Sequence, residues 1–323
     1  MANRGTKPVT NSTEPAAEND EAPASVAVTE ELFAHLPSGI DLCYQVFGDP
    51  ADEPILLIMG LGGPMGWWKT AFCTRLAEQG YSVIRFDNRD TGRSTKLRHH
   101  RVSRSDIIKA FLGRGQAPYS LLDLADDAIG LLDHLGLESA HVVGASMGGM
   151  IGQVLAIEYP ERVRSLTSIM STTGRRTVGW IHPRVIPTML ASNGRTRPEF
   201  AEATIRSNRL LGSPAFPTDE ETTYARALET YDRGWIASGV SRHMLAVLTQ
   251  TDRTERLAAV RVPVQVIHGT NDVLVHVSGG RATAAAITDA SLLEIAGLGH
   301  DLPAQLDDTY IEAIVSTAGR ASS

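Results

Sequence analysis

The chain has 323 residues, 42% of them hydrophobic and 21% charged, and carries a formal net charge of −7. That balance describes an ordinary globular protein with one large core and an insertion. With no Lys/Arg cluster interleaved with aromatics to track a phosphate backbone, it excludes nucleic acid as an expected partner. Cys43 and Cys73, the two cysteines, lack C-x-x-C spacing and are too few for a disulfide framework or a zinc site. No metal is expected.

Residues 1–25 are rich in Pro, Ala, Asn, Thr, Ser and Glu and read as a disordered tail. They contain no apolar signal region, and no later stretch supplies the ~20 apolar residues that a bilayer-spanning helix needs. The default location is the cytoplasm. Residues 39–47 (GIDLCYQVF) alternate, with Ile40, Leu42, Tyr44 and Val46 on one face, and predict a half-buried strand paired with residues 31–35. Residues 55–59 form a continuous apolar strand that runs into Gly60-Leu61-Gly62-Gly63-Pro64, a loop whose glycines allow close backbone approach. A helix over 67–79 ends at Gly80. The strand over 81–86 feeds the polar loop DNRDTGRST, residues 87–95. Ser120 and Asp123 make the N-terminal signature of a helix over 120–135, which Gly136 ends.

Residues 140–149 (AHVVGASMGG) are the centre of the reading. A β-branched run stops at Gly144 and helical periodicity starts at Met147, so Ser146 sits on a sharp strand-to-helix turn, bracketed by Gly144 and Gly148. The start of the following helix turns its amide groups toward the hydroxyl, where an oxyanion would be stabilised. A strand over 163–170 follows. Strand-helix alternation resumes with 262–267, 278–287, 291–295 and 306–317, which means a mostly parallel sheet with helices on both faces. The break, residues 175–253, reads as a helical lid, which divides the α/β core into residues 26–174 and 254–323. Trp67, Trp68 and the lid's Trp180, Met189 and Trp235 are candidates for an apolar pocket wall, although packing alone would account for each taken singly.

A serine nucleophile needs a base, and the base needs a carboxylate to fix its tautomer. Of ten histidines, His300 in GLGHDLP follows the last strand, where Gly297 and Gly299 free the backbone to place its ring. Asp272 in HGTNDVLV follows the strand before it. All three side chains therefore leave the carboxyl ends of strands, where open α/β sheets hold ligands.

The order Ser146, Asp272, His300, with the segments IMGLGG, DNRDTGRS, GASMGG, HGTNDVLV and GLGHDLP, resembles the α/β-hydrolase superfamily. Within it GDPADEP, VIRFDNRDTGRST and AHVVGASMGG look most like the aclacinomycin methylesterase-like branch, which includes mycobacterial lipase and esterase relatives. The resemblance implies an oxyanion hole made by the Leu61 and Met147 backbone N–H groups, an ester substrate that is a small molecule or a lipid, and no cofactor. Two positions depart from the pattern: Met59 stands where a His usually braces the loop, and Asp90 where a Gly is commoner. Lipase or phospholipase, thioesterase, cofactor-free perhydrolase and carbon–carbon hydrolase chemistry could use the same triad. A ligand receptor on the same fold and an envelope-associated protein are the readings from other classes. Oligomeric state is not legible.

Overall fold

The computed structural model describes residues 26–321 apart from 192, 193 and 195, so the expected tail lies outside the described residues. Its strands are β1 (Leu32–His35), β2 (Asp41–Phe47), β3 (Glu53–Ile58), β4 (Tyr81–Phe86), β5 (Ala140–Ala145), β6 (Val163–Ile169), β7 (Val264–Gly269) and β8 (Ser291–Ile295). They form one sheet in the order β1-β2-β4-β3-β5-β6-β7-β8. Pairing is antiparallel at β1/β2 and β2/β4 and parallel from β4 onward. The helices are α1 (Thr70–Ala77), α2 (Arg104–Phe111), α3 (Leu121–His134), α4 (Met147–Glu158), α5 (Ile186–Leu190), α6 (Arg197–Leu211), α7 (Glu220–Asp232), α8 (Ala237–Leu248), α9 (Thr254–Leu257), α10 (Ser278–Ala286) and α11 (Asp307–Gly319).

The pleat sends alternate residues to opposite faces. Leu56, Ile58, Val142 and Leu166 join a core with Leu124, Ala128 and Leu131 of α3 and Ile151 and Leu155 of α4. Ile55, Leu57, Val143 and Ile169 join the other core with Phe72 and Leu76 of α1 and Tyr310, Ile311 and Ile314 of α11. The central strands are therefore buried on both sides, as their continuous apolar runs require. Ser120 caps α3 as expected, accepting from the Asp123 N–H while the Asp123 carboxylate accepts from the Ser120 N–H.

Three expectations change. The strand over 39–47 is not half-buried: Ile40, Leu42, Tyr44 and Val46 enter one core, but Cys43 and Phe47 on the opposite face are also fully buried. Helix α1 begins at Thr70 rather than residue 67, because Met65–Trp67 form a 3₁₀ turn and Trp68 folds into the core against Phe72. Helix α2 has no counterpart in the sequence reading. Between β6 and β7 the described residues form helices α5 through α9, and α8 packs on α2 through Leu245, Ile107 and Ala110.

Candidate active site

Strand β5 delivers Ser146 to a bend that few residues tolerate. Its backbone has φ 56° and ψ −116°, and its N–H donates to the Ile169 carbonyl at 2.8 Å. Positive φ in a residue with a Cβ is strained, so the surroundings must hold it. They do so by close backbone packing. A Cβ on Gly144 would lie 2.2 Å from the Gly148 carbonyl oxygen, and one on Gly148 would lie 2.0 Å from that of Ile58. The bracketing glycines thus let α4 start directly against β5 and β3. Within buried neighbours Ser146 alone is half-exposed.

His300 Nε2 lies 3.0 Å from Ser146 Oγ, and His300 Nδ1 lies 2.6 Å from Asp272 Oδ2. The other Asp272 oxygen accepts from the N–H groups of Leu274 and Val275 at 2.9 and 2.8 Å. Burial opposes charge on Asp272, but the field of His300 and hydrogen bonds from His268 and His300 outweigh it and hold the carboxyl well below the usual range. The structure therefore brings the three predicted residues into one hydrogen-bonded chain. An ionised Asp272 fixes the proton on His300 Nδ1 and leaves Nε2 to accept from the serine hydroxyl.

The loop after β3 passes beside the serine. A Cβ on Gly60 would be 3.1 Å from the Ser146 Cβ. Neither the Leu61 N–H nor the Met147 N–H has an acceptor among the described residues, which leaves both donors open at the start of α4. The next amide, Gly62 N–H, donates at 3.1 Å to Nδ1 of His243, a wholly buried residue of α8, whose Nε2 donates at 2.8 Å to the Arg89 carbonyl. His243 thus reaches the loop that lacks a histidine at position 59. Nothing in the sequence marked it, because it comes from the insert 181 residues away.

The second departure is explained by charge. Asp90 has φ 69°, the conformation a glycine would supply freely, and its carboxylate takes a bidentate hydrogen bond from Arg242 of α8 at 2.6 and 2.7 Å. Tyr119 Oη and the Leu97 N–H donate to it as well, both at 2.8 Å. Burial disfavours this charge, yet those partners keep the Asp90 carboxyl below its ordinary range. In the same loop Arg89 grips Asp127 of α3 at 2.6 and 2.7 Å. Asp87 accepts from the Met65 and Arg93 N–H groups at 2.7 and 2.8 Å and from Arg233 of the insert at 2.8 Å.

The insert also holds the His300 loop. The His300 N–H donates to the Leu211 carbonyl at 2.7 Å, and the Gly299 N–H donates to Ser213 Oγ at 2.8 Å. A Cβ on Gly299 would sit 2.5 Å from the Leu211 and Gly212 carbonyl oxygens.

The five aromatic and methionine candidates divide. Trp68 is 2% exposed and stacked on Phe72, which accounts for it as core packing. Trp67 lies between the Gly63 backbone and α7, its Nε1 donating to Thr230 Oγ1 at 3.0 Å. Trp235 packs on Phe200 at 4.5 Å and borders a cavity of about 10 Å³ with Gly62, Ile236 and Val240, room for a single water at most. Met189 is half-buried on α5, and Trp180 is half-exposed and stacked on His276.

The sheet order is that of the α/β-hydrolase fold, and the chain belongs to that family, whose profile matches residues 53–305. Among relatives, rhodomycin D methylesterase DnrP of Streptomyces peucetius is 32% identical over 85% of this chain and 94% of its own length. Putative carbamate hydrolase RutD of Azorhizobium caulinodans is 31% identical over 86% of this chain and 95% of its own. The enol-lactonase of Burkholderia xenovorans shares the fold with a TM-score of 0.70 at 22% identity, covering 89% of this chain and 100% of that one. The resemblance to the methylesterase branch is thereby borne out.

Proposed function

We propose that this chain is a serine hydrolase that cleaves a carboxylic ester, with methyl esters on a hydrophobic framework as the first class to test. Ser146 is the nucleophile, His300 the general base and acid, and Asp272 the group that orients the base. Ser146 loses its proton to His300 Nε2 as it attacks the carbonyl carbon. The oxyanion is held by the Leu61 and Met147 N–H groups. The imidazolium then protonates the departing alcohol, leaving an acyl-serine, and a water deprotonated by the same ring releases the acid. The helical segment 175–253 is the lid that shapes the acyl and alcohol sites, with Trp67, Trp180, Met189 and Trp235 as wall candidates.

The observation that carries this reading is the hydrogen-bonded chain from Ser146 through His300 to Asp272, beside two amide donors without acceptors among the described residues. The methyl-ester preference rests on the methylesterase relatives. A carbamate is the second reading, favoured by the relatives named as carbamate hydrolases, and it uses the same attack on a carbonyl. The test is a panel of methyl, short-chain, long-chain and thio esters and a carbamate, with Ser146→Ala and fluorophosphonate labelling as controls. Turnover and labelling should vanish together in Ser146→Ala. Unchanged turnover in that variant, at wild-type stability, refutes the assignment.

A further inference from the structure

We propose that α2 and the loop leading into it form a docking surface for an anionic lipid membrane. The inference is independent of the ester reading and rests on charge and exposure. In a chain of net charge −7, residues 98–114 hold Arg98, Arg101, Arg104, Lys109 and Arg114 against Asp106 as the one carboxylate. All five cations are exposed, and none has a side-chain hydrogen bond or ion pair among the described residues. Several arginines elsewhere on the surface are matched, as in Arg93 with Glu31, Arg197 with Asp232 and Arg281 with Glu294. Asp106 caps the start of α2 through the Ser103 N–H and hydroxyl and lies in the field of Lys109, so five cations against this one carboxylate leave the segment a net charge of +4.

The same helix turns apolar side chains outward. Ile107 and Ala110 are buried against Leu245 of α8. On the opposite side Arg104, Ile108 and Leu112 stand at helical spacings of four, on one stripe. Leu112 is 68% and Ile108 53% exposed, the most exposed large hydrophobic residues among those described. Two exposed aliphatic tips in a segment of five exposed cations define their partner: apolar just beneath an anionic surface. A phospholipid leaflet has that layering, with phosphates at the depth of the arginines and acyl chains at the depth of Ile108 and Leu112. A nucleic acid would leave both tips against phosphate; the stripe itself has no aromatic ring for a base to stack on, and the exposed rings of the loop before it, His99 and His100, lie against each other with centroids 4.1 Å apart. No helix among the described residues is long and apolar enough to cross a membrane, so α2 would lie in the plane of the interface.

The test uses the full chain in co-sedimentation with phosphatidylcholine vesicles, with and without phosphatidylglycerol, at low and high salt. Binding is expected only with phosphatidylglycerol present and should be lost at high salt. Replacing Arg101, Arg104 and Lys109 together by Ser should weaken partitioning about a hundredfold, about fivefold per cation. The double variant Ile108→Ser/Leu112→Ser keeps every charge and should still weaken it about tenfold or more. Both variants should keep wild-type turnover of a water-soluble ester and wild-type melting, since none of these side chains touches the site or the core. Three results would overturn the proposal: no binding to phosphatidylglycerol vesicles, equal binding to neutral ones, or an Ile108/Leu112 variant that binds like wild type. The last, with RNA or heparin retained equally by both forms, would mark a polyanion site instead.

Discussion

At the scale of single residues the strain at Ser146 and the glycines around it are one device. The serine's positive φ is held because α4 starts within contact of the β3 and β5 backbones, and only a residue without Cβ permits that approach at 144 and 148. Gly148→Ala would drive a methyl into the Ile58 carbonyl, which is backbone and cannot swing aside. It should destabilise the fold by about 3 kcal/mol, read as a lowered denaturant midpoint, and remove activity before the fold is lost. Asp272→Asn is the chemical counterpart. The amide can present its NH₂ to His300 and stabilise the wrong tautomer, so kcat should fall about 10⁴-fold with little change in melting. These positions were legible because GASMGG, the Asp272 loop and the His300 loop are each local patterns at strand ends. Asp90 and Met59 were legible only as departures: a glycine-like conformation and a missing brace carry no sequence sign of the residue that compensates.

At the scale of elements that compensation comes from α8. His243 works as a neutral ring, with Nδ1 accepting from Gly62 and Nε2 donating to Arg89. Burial pushes its pKa down from 6.5 to about 4. Between those values the unfolded chain takes up a proton that the folded chain refuses, so stability falls as pH drops through the window and this loss is complete below about pH 4. The ring's share is about 3 kcal/mol at most. Denaturant titrations from pH 7 to 4 should show that slope in the wild type, and His243→Phe should make it shallower, leaving the part that comes from His141 and His276, whose pKa burial also lowers. The same variant strands the Gly62 N–H next to the Leu61 donor. Its kcat should fall about tenfold or more with KM nearly unchanged, the pattern of an interaction realised in the transition state; a change in KM alone would assign His243 to packing. Periodicity found most of the sheet and α3, but α2 escaped it because its buried face is only Ile107 and Ala110, too short a repeat to stand out among arginines.

At the scale of the whole molecule the insert is joined to the sheet at both loops that flank Ser146. Leu211 and Ser213 hold the His300 loop, His243 holds the loop after β3, and Arg242 and Arg233 lock Asp90 and Asp87. A segment tied in this way should not open as an independent flap, and the protein should unfold in one cooperative transition that includes residues 175–253. The buried Arg242–Asp90 pair provides the test, since both side chains are fully buried. Arg242→Met leaves an unpaired carboxylate in the interior, which typically costs about 3–5 kcal/mol. The insert should then loosen first, seen as early amide exchange in α8 and proteolytic cleavage near it. Adding Asp90→Gly removes the stranded charge and places the residue that φ 69° favours. The double variant should therefore be more stable than the single one and regain the single transition, short of the wild type by the Tyr119 hydroxyl and Leu97 N–H left without their acceptor. If Arg242→Met alone melts like the wild type, or if the double variant is no better than the single, the coupling of insert to sheet does not run through this pair. Recovery of activity with stability would further show that the pair serves the site by fixing α8, and so His243, over the loop that carries Leu61.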